Sequence, residues 1–468
     1  MSALMVQGVS SSSGKSLLAT ALARAFRRRG VDVAPFKAQN MSNNARVVAG
    51  GEIGTAQYLQ ALAAGVEPDV RMNPILVKPE GDNRSQVVVL GKPDLELSQL
   101  PWRLRPARLW PVIEQALQSL LAEHELLLLE GAGSPAEINL RDSDLANMRT
   151  AKAAGARTLL VADIDRGGAF AHLYGTWALL AEDERALITG FVLNKFRGDV
   201  SLLPPAPAQL ERLTGIPTLG VLPWLQHGLP DEDGAATPRP IQDRPTVVVV
   251  RYPSASNLDE FKQLEQVAEL RWATRPKDTE SADLLILPGS KHVAADLAWL
   301  ERTGLAEAVR TRAIRGRPVL GICGGLQMLG ERIEDEAGVD GSANGLALLP
   351  LRTVFAASKQ TEKTSIQFSP LAEPWAALGG KRLRGYQIRH GQTTTTAPVT
   401  EALPHGLGYV EGPVLGIYLH GLFEQSDMLE ALFGTSPHRS LDEAFDELAD
   451  AVEEHLDVAA LLDQVRAA

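Results

Sequence analysis

The chain has 468 residues, of which 45% are hydrophobic and 22% charged, and these proportions indicate a soluble globular protein of two or three domains. Its 46 basic and 57 acidic residues give a formal net charge of −11, which disfavours nucleic acid or an acidic membrane as a partner. A single cysteine excludes an internal disulfide and a thiolate zinc site. This cysteine count fits the reducing cytoplasm. No apolar run approaches the ~20 residues needed to span a bilayer.

The first predicted element is a strand over residues 3–8, and a serine-rich loop connects it to a helix predicted over residues 17–28. The loop reads Gly8-Val-Ser-Ser-Ser-Ser-Gly14-Lys15-Ser16. Backbone N–H groups of such a loop bind phosphate oxygens, the lysine neutralises their charge, and the following hydroxyl can hold Mg²⁺. We therefore predict that Gly8, Gly14, Lys15 and Ser16 bind ATP and that Ser16 is a metal ligand. The spacing of the two glycines is one residue longer than in the strict motif, so an incidental serine-rich loop is the alternative.

An amide-rich segment with one lysine follows this helix. It reads Phe36-Lys37-Ala-Gln-Asn40-Met-Ser-Asn-Asn44. One cation among several amides is suited to the carboxylates and amides of a polar substrate. A turn capped by its own asparagines is the alternative. Lys37 and Asn40 are therefore candidates for contact with a substrate or a phosphate.

Polar residues also end two later strands of the first half of the chain. Strands are predicted over residues 126–129, 158–162 and 188–193, and their alternation with helices is typical of a parallel sheet covered by helices. Glu130 ends the first strand beside a glycine turn and is a candidate magnesium ligand, with a solvated strand end as the alternative. Asn194 ends the third strand, where its amide could contact the edge of a purine in ATP.

The alternation stops over residues 234–245, which contain three prolines and are predicted to be a linker. It resumes in a second series of strands, predicted over residues 246–250, 284–287, 319–322 and 414–419. The fold class is therefore predicted to be α/β, with two doubly wound parallel-sheet domains. Their predicted bounds are 1–233 and 246–435, and residues 436–468 form an acidic helical tail predicted to serve packing.

The only cysteine, Cys323, lies on a predicted strand-to-helix elbow with two glycines after it. Such an elbow lifts a side chain out of the sheet and directs backbone N–H groups at the group it attacks, and a helix start lowers the pKa of a thiol. A buried structural cysteine is the alternative. His420, at the end of a later apolar strand, provides the base that a thiol nucleophile requires.

Several segments together resemble the cobyric acid synthase family, the glutamine-dependent ligases of the cobalamin pathway. They are residues 35–44, 130–140, 163–168, 287–291, 321–329 and 418–423. The amide-rich segment and Asp163-Ile-Asp-Arg-Gly-Gly168 are the most specific of them. The first domain also resembles dethiobiotin synthetase, whose phosphate loop has the same extra residue. The resemblance implies a P-loop NTPase-like domain followed by a class I glutamine amidotransferase domain.

The resemblance implies roles for residues of the second domain. Cys323 would attack the side-chain amide of glutamine, and His420 would be its base. Gly289 and Gly324 lie at the family's oxyanion hole, and Gln327 lies at its glutamine pocket. Hydrolysis of the resulting thioester would release ammonia for the first domain.

The resemblance also implies roles in the first domain. Lys15, Ser16 and Glu130 would hold MgATP, and Lys37 would face the phosphates or the substrate. A corrinoid carboxylate would be phosphorylated and then displaced by ammonia, because a free carboxylate is a poor electrophile. The expected substrates are ATP, glutamine and adenosylcobyrinic acid a,c-diamide, amidated at its b, d, e and g carboxylates.

Two segments, residues 256–262 and 385–391, depart from the family pattern. Both lie far from Cys323 and His420 in sequence, so they are expected to affect substrate fit or domain contact more than the nucleophile's chemistry. Family members often have a glutamate two residues after the histidine. Here that position is Leu422, and the nearest acid is Glu424, whose role the sequence leaves open.

Two alternative functions share these features. The sister enzyme that makes the a,c-diamide has both domain types but lacks the amide-rich segment. A P-loop ATPase that assembles other proteins, with a degenerate second domain, belongs to another class, and the intact Cys323 and His420 argue against it. The sequence leaves open the order of amidations, the route of ammonia and the oligomeric state.

Overall fold

The computed structural model describes residues 2–81, 84–225, 227–229 and 244–467. The chain forms two compact units. Unit 1 comprises the described residues of 1–42, 48–233 and 439–468, and unit 2 comprises those of 43–47 and 234–438. The predicted linker lies outside the described residues except for positions 244 and 245.

Strands and helices alternate along the first half of the chain. The strands there are β1 (Ser2–Gly8), β2 (Val33–Phe36), β3 (Gln39–Met41), β4 (Ala45–Val48), β5 (Gly51–Gly54), β6 (Ile75–Gly81), β7 (Arg84–Val89), β8 (Lys92–Asp94), β9 (Leu126–Glu130), β10 (Arg157–Asp163), β11 (Ile188–Phe196) and β12 (Thr218–Pro223). The α-helices are α1 (Lys15–Arg28), α2 (Thr55–Ala64), α3 (Leu95–Gln99), α4 (Arg105–Glu123), α5 (Met148–Ala154), α6 (Ala169–Leu179), α7 (Glu182–Arg185) and α8 (Ala206–Thr214).

A six-stranded parallel sheet forms the centre of unit 1, in the order β12-β11-β10-β1-β9-β2. Every residue of β9 is buried, as expected for a continuous apolar run whose two faces are both covered. Because β1 lies between β9 and β10, the phosphate loop and Glu130 leave the sheet at the same edge. Ligands bind at this edge in doubly wound folds.

The second half of the chain repeats the alternation. Its strands are β13 (Thr246–Val250), β14 (Ala255–Ser256), β15 (Glu269–Ala273), β16 (Leu284–Leu287), β17 (Gly289–Ser290), β18 (Val319–Ile322), β19 (Arg332–Glu334), β20 (Ala343–Asn344), β21 (Leu351–Gln367), β22 (Arg382–Thr395), β23 (Thr400–Leu403), β24 (Gly408–Glu411) and β25 (Val414–Ile417). Its α-helices are α9 (Val293–Thr303), α10 (Leu305–Ile314), α11 (Gly324–Leu329) and α12 (Ser426–Phe433).

The main sheet of unit 2 has seven strands in the order β15-β13-β16-β18-β25-β24-β23. The first five are mutually parallel, and β24 and β23 continue the sheet antiparallel. The strands β16, β18 and β25 are neighbours, so the residues that follow them leave the sheet at one edge. A long antiparallel pair, β21 and β22, belongs to a separate four-stranded sheet. The prediction of two largely parallel α/β sheets is confirmed.

The acidic tail packs in unit 1. It forms α13 (Leu441–His455) and α14 (Val458–Arg466), whose apolar faces join the core around α1. Arg24 of α1 is paired with Asp446 at 2.7 Å, and Arg28 is paired with Asp450 at 2.6 Å. The acidic face of α13 therefore neutralises a basic face of α1. No helix within the described ranges is long and apolar enough to cross a membrane.

Candidate active site

The elbow that carries Cys323 is sharply bent. Cys323 has φ 51° and ψ −104°, a backbone conformation that costs energy for a residue with a Cβ. A Cβ on Gly325 would lie 2.0 Å from the carbonyl oxygen of Leu287, so the turn requires glycine at that position. Cys323 is buried, and its Sγ lies 3.6 Å from the carbonyl oxygen of Ile388. The strand-to-helix elbow that the sequence predicted at Cys323 is present.

His420 follows β25, and Cys323 lies close enough to raise the pKa of its imidazole. Its Nδ1 lies 2.8 Å from Oε1 of Glu260, and Oε2 of Glu260 accepts a hydrogen bond from the N–H of Gly421 at 3.0 Å. Burial alone lowers the pKa of His420, but the charge of Glu260 and the hydrogen bonds to Cys323 and Glu260 outweigh it and raise the pKa to about 10. These contacts therefore favour the protonated, imidazolium form of His420.

Glu260 is a residue that the sequence reasoning missed. It lies on a 3-10 helix over Leu258–Gln266 and is fully buried. The available signal was two adjacent acids, Asp259 and Glu260, within a stretch whose other buried members are Phe261 and Leu264. Two carboxylates on an apolar face need a partner, and sequence alone does not identify a histidine 160 residues away as that partner.

The two segments that depart from the family pattern lie against His420, although both are far from it in the sequence. Glu260 of the first segment holds Nδ1 of His420. In the second segment, the ring of Tyr386 stacks on the ring of His420 at a centroid distance of 5.3 Å, and the N–H of His420 donates to the carbonyl oxygen of Tyr386 at 2.8 Å. Both segments contact the histidine because the fold brings distant chain segments to the same sheet edge.

Glu424 is the acid nearest to His420 in the sequence, but its carboxylate is paired with a guanidinium. That group belongs to Arg46, a residue of the 43–47 segment that is part of unit 2. Burial raises the pKa of Glu424, and the charge of Arg46 opposes that rise. The carboxylate that contacts Nδ1 of His420 is that of Glu260, and Glu424 contacts Arg46 instead.

The three residues assigned to the oxyanion hole and the glutamine pocket lie close to Cys323 and His420. A Cβ on Gly289 would lie 3.0 Å from Cε1 of His420, and one on Gly324 would lie 2.7 Å from the backbone nitrogen of Ser290. A side chain at Gly289 would therefore press on His420, and one at Gly324 would press on the backbone at Ser290. Gln327 is buried, and its Nε2 lies 3.5 Å from the hydroxyl of Tyr418.

In unit 1, the phosphate loop is tightly folded around its two glycines. A Cβ on Gly8 would lie 2.1 Å from Oγ of Ser13, and Gly14 has φ 97°, which favours glycine. Lys15 is the first residue of α1, and its Nζ contacts the carbonyl oxygens of Ser10 at 3.2 Å and Gly133 at 3.4 Å. The ammonium group is thus folded over the loop, where outer phosphates of a nucleotide would lie.

Glu130 joins several of the predicted residues of unit 1. Its Oε1 accepts hydrogen bonds from Oγ of Ser16 and from Nζ of Lys37, both at 2.8 Å. Its Oε2 accepts a hydrogen bond from Nε2 of Gln60 at 2.5 Å. The carboxylate is buried. The structure therefore brings Ser16, Lys37 and Glu130 together, and Gln60 is an additional neighbour that the sequence did not indicate.

The donor set at Ser16 and Glu130 fits Mg²⁺. The hydroxyl and the carboxylate oxygen lie 2.8 Å apart, and both are hard oxygen ligands. Mg²⁺ in nucleotide sites usually takes only one or two protein ligands and completes its shell with phosphates and water. Among the described residues, no cluster of three or more His, Cys, Asp or Glu side chains could hold a metal, which is compatible with a site of this sparse type.

Asn194 and Asn40 both have hydrogen bonds within unit 1. Nδ2 of Asn194 donates to the carbonyl oxygen of Ser13 at 2.9 Å, so this amide supports the phosphate loop. Nδ2 of Asn40 donates to Oε1 of Gln57 at 3.2 Å, and a Cβ on Gly54 would lie 2.6 Å from Nδ2. Asn40 is thereby fixed in a packed, polar environment.

Two family models match the chain. Residues 246–428 match the CobB/CobQ-like glutamine amidotransferase domain. Residues 4–229 match the CobQ/CobB/MinD/ParA nucleotide binding domain. The two matches lie on either side of the predicted linker.

Proteins called cobyric acid synthase resemble the chain over nearly its whole length. The one from Polaromonas sp. (strain JS666) is 53% identical, over 98% of this chain and 97% of its own length. The one from Variovorax paradoxus (strain S110) is 54% identical to this chain, with 98% of both chains covered. The one from Paracidovorax citrulli (strain AAC00-1) is 55% identical, with 97% of both chains covered. The chain belongs to the cobyric acid synthase family, the ATP-dependent, glutamine-hydrolysing amidating ligases of cobalamin biosynthesis.

Proposed function

We propose that this chain amidates the b, d, e and g carboxylates of adenosylcobyrinic acid a,c-diamide, with ammonia from glutamine and activation by ATP. The observation that carries the proposal is the cluster of Cys323, His420 and Glu260 at the carboxyl edge of a parallel sheet, in a chain of this family. A single thiol that must stay reduced supports a role in the cytoplasm.

In the glutaminase reaction, the thiolate of Cys323 attacks the side-chain carbonyl carbon of glutamine. The C–S bond forms, and the carbonyl oxygen takes the negative charge near the backbone N–H groups of the loops at Gly289 and Gly324. His420 donates its proton to the leaving nitrogen, so ammonia departs and a thioester remains. His420, now neutral, takes a proton from water, which hydrolyses the thioester and regenerates the thiol. Glu260 stabilises the imidazolium form throughout.

In the ligase reaction, the phosphate loop and Lys15 hold ATP with its γ-phosphate accessible to a substrate carboxylate. Ser16 and Glu130 would hold Mg²⁺, which when bound neutralises charge on the phosphates. The carboxylate oxygen forms a bond to the γ-phosphorus while the bond to ADP breaks, giving an acyl phosphate. Ammonia then attacks the acyl carbon, phosphate leaves, and an amide remains.

The other predicted residues of unit 1 have supporting roles in this proposal. Lys37, whose Nζ lies 2.8 Å from Oε1 of Glu130, would face the phosphates or the substrate carboxylate. Asn40 is also proposed to contact the substrate or a phosphate. Asn194 holds the loop through Ser13 and leaves its Oδ1 without a hydrogen-bond partner among the described residues, which suits the amino group of a purine.

Mass analysis of the corrinoid product tests this function. With glutamine and MgATP, adenosylcobyrinic acid a,c-diamide should gain amides at the four remaining positions, and unamidated cobyrinic acid should be a poor substrate. Equal or better conversion of unamidated cobyrinic acid would identify the chain as the sister a,c-diamide synthase. ATP hydrolysis with no amidation of either compound would favour an assembly ATPase.

A further inference from the structure

We propose that Arg46 is a positioning residue for the glutaminase, and that it fixes His420 through three groups that surround the imidazole. This inference rests on the proposed function, since it concerns the same histidine. Arg46 lies outside residues 246–428, the range that matches the amidotransferase family model, so that range by itself does not contain every residue of the site.

The segment that carries Arg46 is bound into unit 2. Residues 43–47 belong to this unit by their contacts, although the residues before and after them belong to unit 1. The N–H of Ala45 donates to Oδ1 of Asn257 at 3.2 Å, and the N–H of Leu258 donates to Oδ1 of Asn44 at 3.2 Å. Backbone and asparagine side chains thus hold the segment against the start of the 3-10 helix that carries Glu260.

The guanidinium of Arg46 is buried and makes three polar contacts. Its Nη2 lies 2.6 Å from Oδ2 of Asp259 and is also paired with Oε1 of Glu424. Its Nη1 donates to the hydroxyl of Tyr386, and its Cζ lies 5.3 Å from the centre of that ring. Burial alone lowers the pKa of Arg46, but Asp259 and Glu424 raise it well above its ordinary value, so the group is charged.

Each of these partners is one step from His420. Asp259 directly precedes Glu260, whose carboxylate holds Nδ1 of the histidine. Tyr386 stacks on the imidazole at an interplanar angle of 22°. Glu424 ends the 3-10 helix Leu422–Glu424, which begins two residues after the histidine. Arg46 therefore fixes three groups around His420. They are Asp259 beside Glu260, the stacked ring of Tyr386, and Glu424 in the turn that follows the histidine.

The charge of Arg46 also sets the electrostatic field at the glutaminase site. The titratable and charged groups around His420 are Glu260, Asp259, Glu424, Arg46, Cys323 and Tyr386. Arg46 is the cation that offsets Asp259 and Glu424. Without it, the added negative field would stabilise the protonated form of His420. The pH at which His420 loses its proton would then be higher.

The size of this shift follows from the distances. Cζ of Arg46 and the centre of the His420 ring each lie 5.3 Å from the centre of the Tyr386 ring. The two cations are therefore separated by at most roughly 10 Å, and a unit charge at that distance shifts a pKa by about 0.3 to 1.2 units for an effective dielectric constant between about 80 and about 20. Because this distance is an upper limit, removing Arg46 should raise the pKa of His420 by at least about 0.3 to 1.2 units and move the alkaline limb of the pH profile to higher pH accordingly.

The test compares full-length variants, with ammonia release from glutamine measured across pH. Arg46→Gln should lower kcat at least about tenfold near neutral pH, leave KM for glutamine within about twofold, and shift the alkaline limb of the profile to higher pH. Arg46→Lys keeps the charge and should keep the wild-type profile. Glu424→Gln should shift the profile to lower pH, and Arg46→Gln combined with Glu424→Gln should restore it. If Arg46→Gln does not fold, the proposal is tested by the other two variants. It then requires a shift to lower pH in Glu424→Gln and the wild-type profile in the double variant.

Arg312→Gln is the matched control, because Arg312 is also a buried arginine of unit 2. Its guanidinium donates to the carbonyl oxygens of Pro318 at 3.0 Å and Asp283 at 2.7 Å, away from His420. This variant should lose stability with no shift of the pH profile. The proposal is overturned if Arg46→Gln and Arg312→Gln behave alike, or if Arg46→Lys shifts as Arg46→Gln does. Absence of glutaminase in the wild type would instead refute the proposed function.

Discussion

Replacing Glu260 with glutamine isolates its charge from its shape. The amide oxygen of the introduced side chain could still accept a hydrogen bond from Nδ1 of His420, which lies 2.8 Å from Oε1 of Glu260. The negative charge would be lost, and with it the largest factor that raises the pKa of His420 against the effect of burial. We therefore expect the imidazolium form of His420 to become less populated.

The magnitude follows from Coulomb's law. Two unit charges about 4 Å apart interact by about 4 kcal/mol at an effective dielectric constant of about 20. The retained hydrogen bond and relaxation of the site leave a loss of roughly 2 to 3 kcal/mol. This corresponds to a fall of about 30- to 150-fold in kcat/KM for glutamine hydrolysis. The alkaline limb of the pH profile, set by a His420 pKa of about 10, should move to lower pH.

The assay is ammonia release from glutamine as a function of pH, with Glu265→Gln as the matched control. Glu265 lies on the same 3-10 helix and is paired with Lys262 at 2.8 Å, so its loss should leave the profile unchanged. Amidation driven by added ammonium salt should be intact in both variants. If Glu260→Gln kept its hydrolysis rate within about threefold and its alkaline limb did not move, Glu260 would not be the partner of the catalytic histidine.

Three further outcomes are expected. Glu424→Gln should reduce glutamine hydrolysis far less than His420→Ala, because Glu424 is paired with Arg46; equal losses would make it a third catalytic member. The free energy of unfolding should contain a term from His420 that is fully present below pH 6.5 and is lost as the pH rises through about 10, because the folded state binds the additional proton in that window. Denaturant titrations of wild type and His420→Ala should show this slope only in the wild type. Gly289→Ala should impair glutamine hydrolysis but not ammonium-driven amidation, because the new Cβ would lie 3.0 Å from Cε1 of His420; unchanged hydrolysis would contradict this.

Local patterns in the sequence were sufficient for the fold and for part of the site. The apolar runs at 126–129 and 319–322 are strands of parallel sheets because their continuous burial needs cover on both faces. The elbow at Cys323 was readable because its glycines allow a turn that other residues would block. Motifs of this kind act over a few residues, so the sequence contains their whole signal.

Contacts between distant parts of the chain were not readable in the same way. Glu260 reaches His420 across 160 residues, and Arg46 reaches Glu424 across 378 residues. The acidic face of α13 matches a basic face of α1 more than 400 residues away. Charge pairing across such separations depends on which surfaces the fold brings together, and a single sequence does not specify that. Distance along the sequence therefore did not indicate that the segments 256–262 and 385–391, which depart from the family pattern, contact His420.

The most direct test of the two-site ligase is to supply ammonia from outside. Cys323→Ala removes the nucleophile of unit 2, and Lys15→Met removes the cation at the phosphate loop of unit 1. Ammonium salt at high pH should restore amidation of the corrinoid by Cys323→Ala with MgATP. It should not restore amidation by Lys15→Met, because this variant lacks the cation that stabilises the transferring phosphoryl group. Loss of electrostatic stabilisation of this kind raises the activation barrier by on the order of several kcal/mol. Failure of ammonia to rescue folded Cys323→Ala, or rescue of Lys15→Met, would contradict the division of the reaction between two sites.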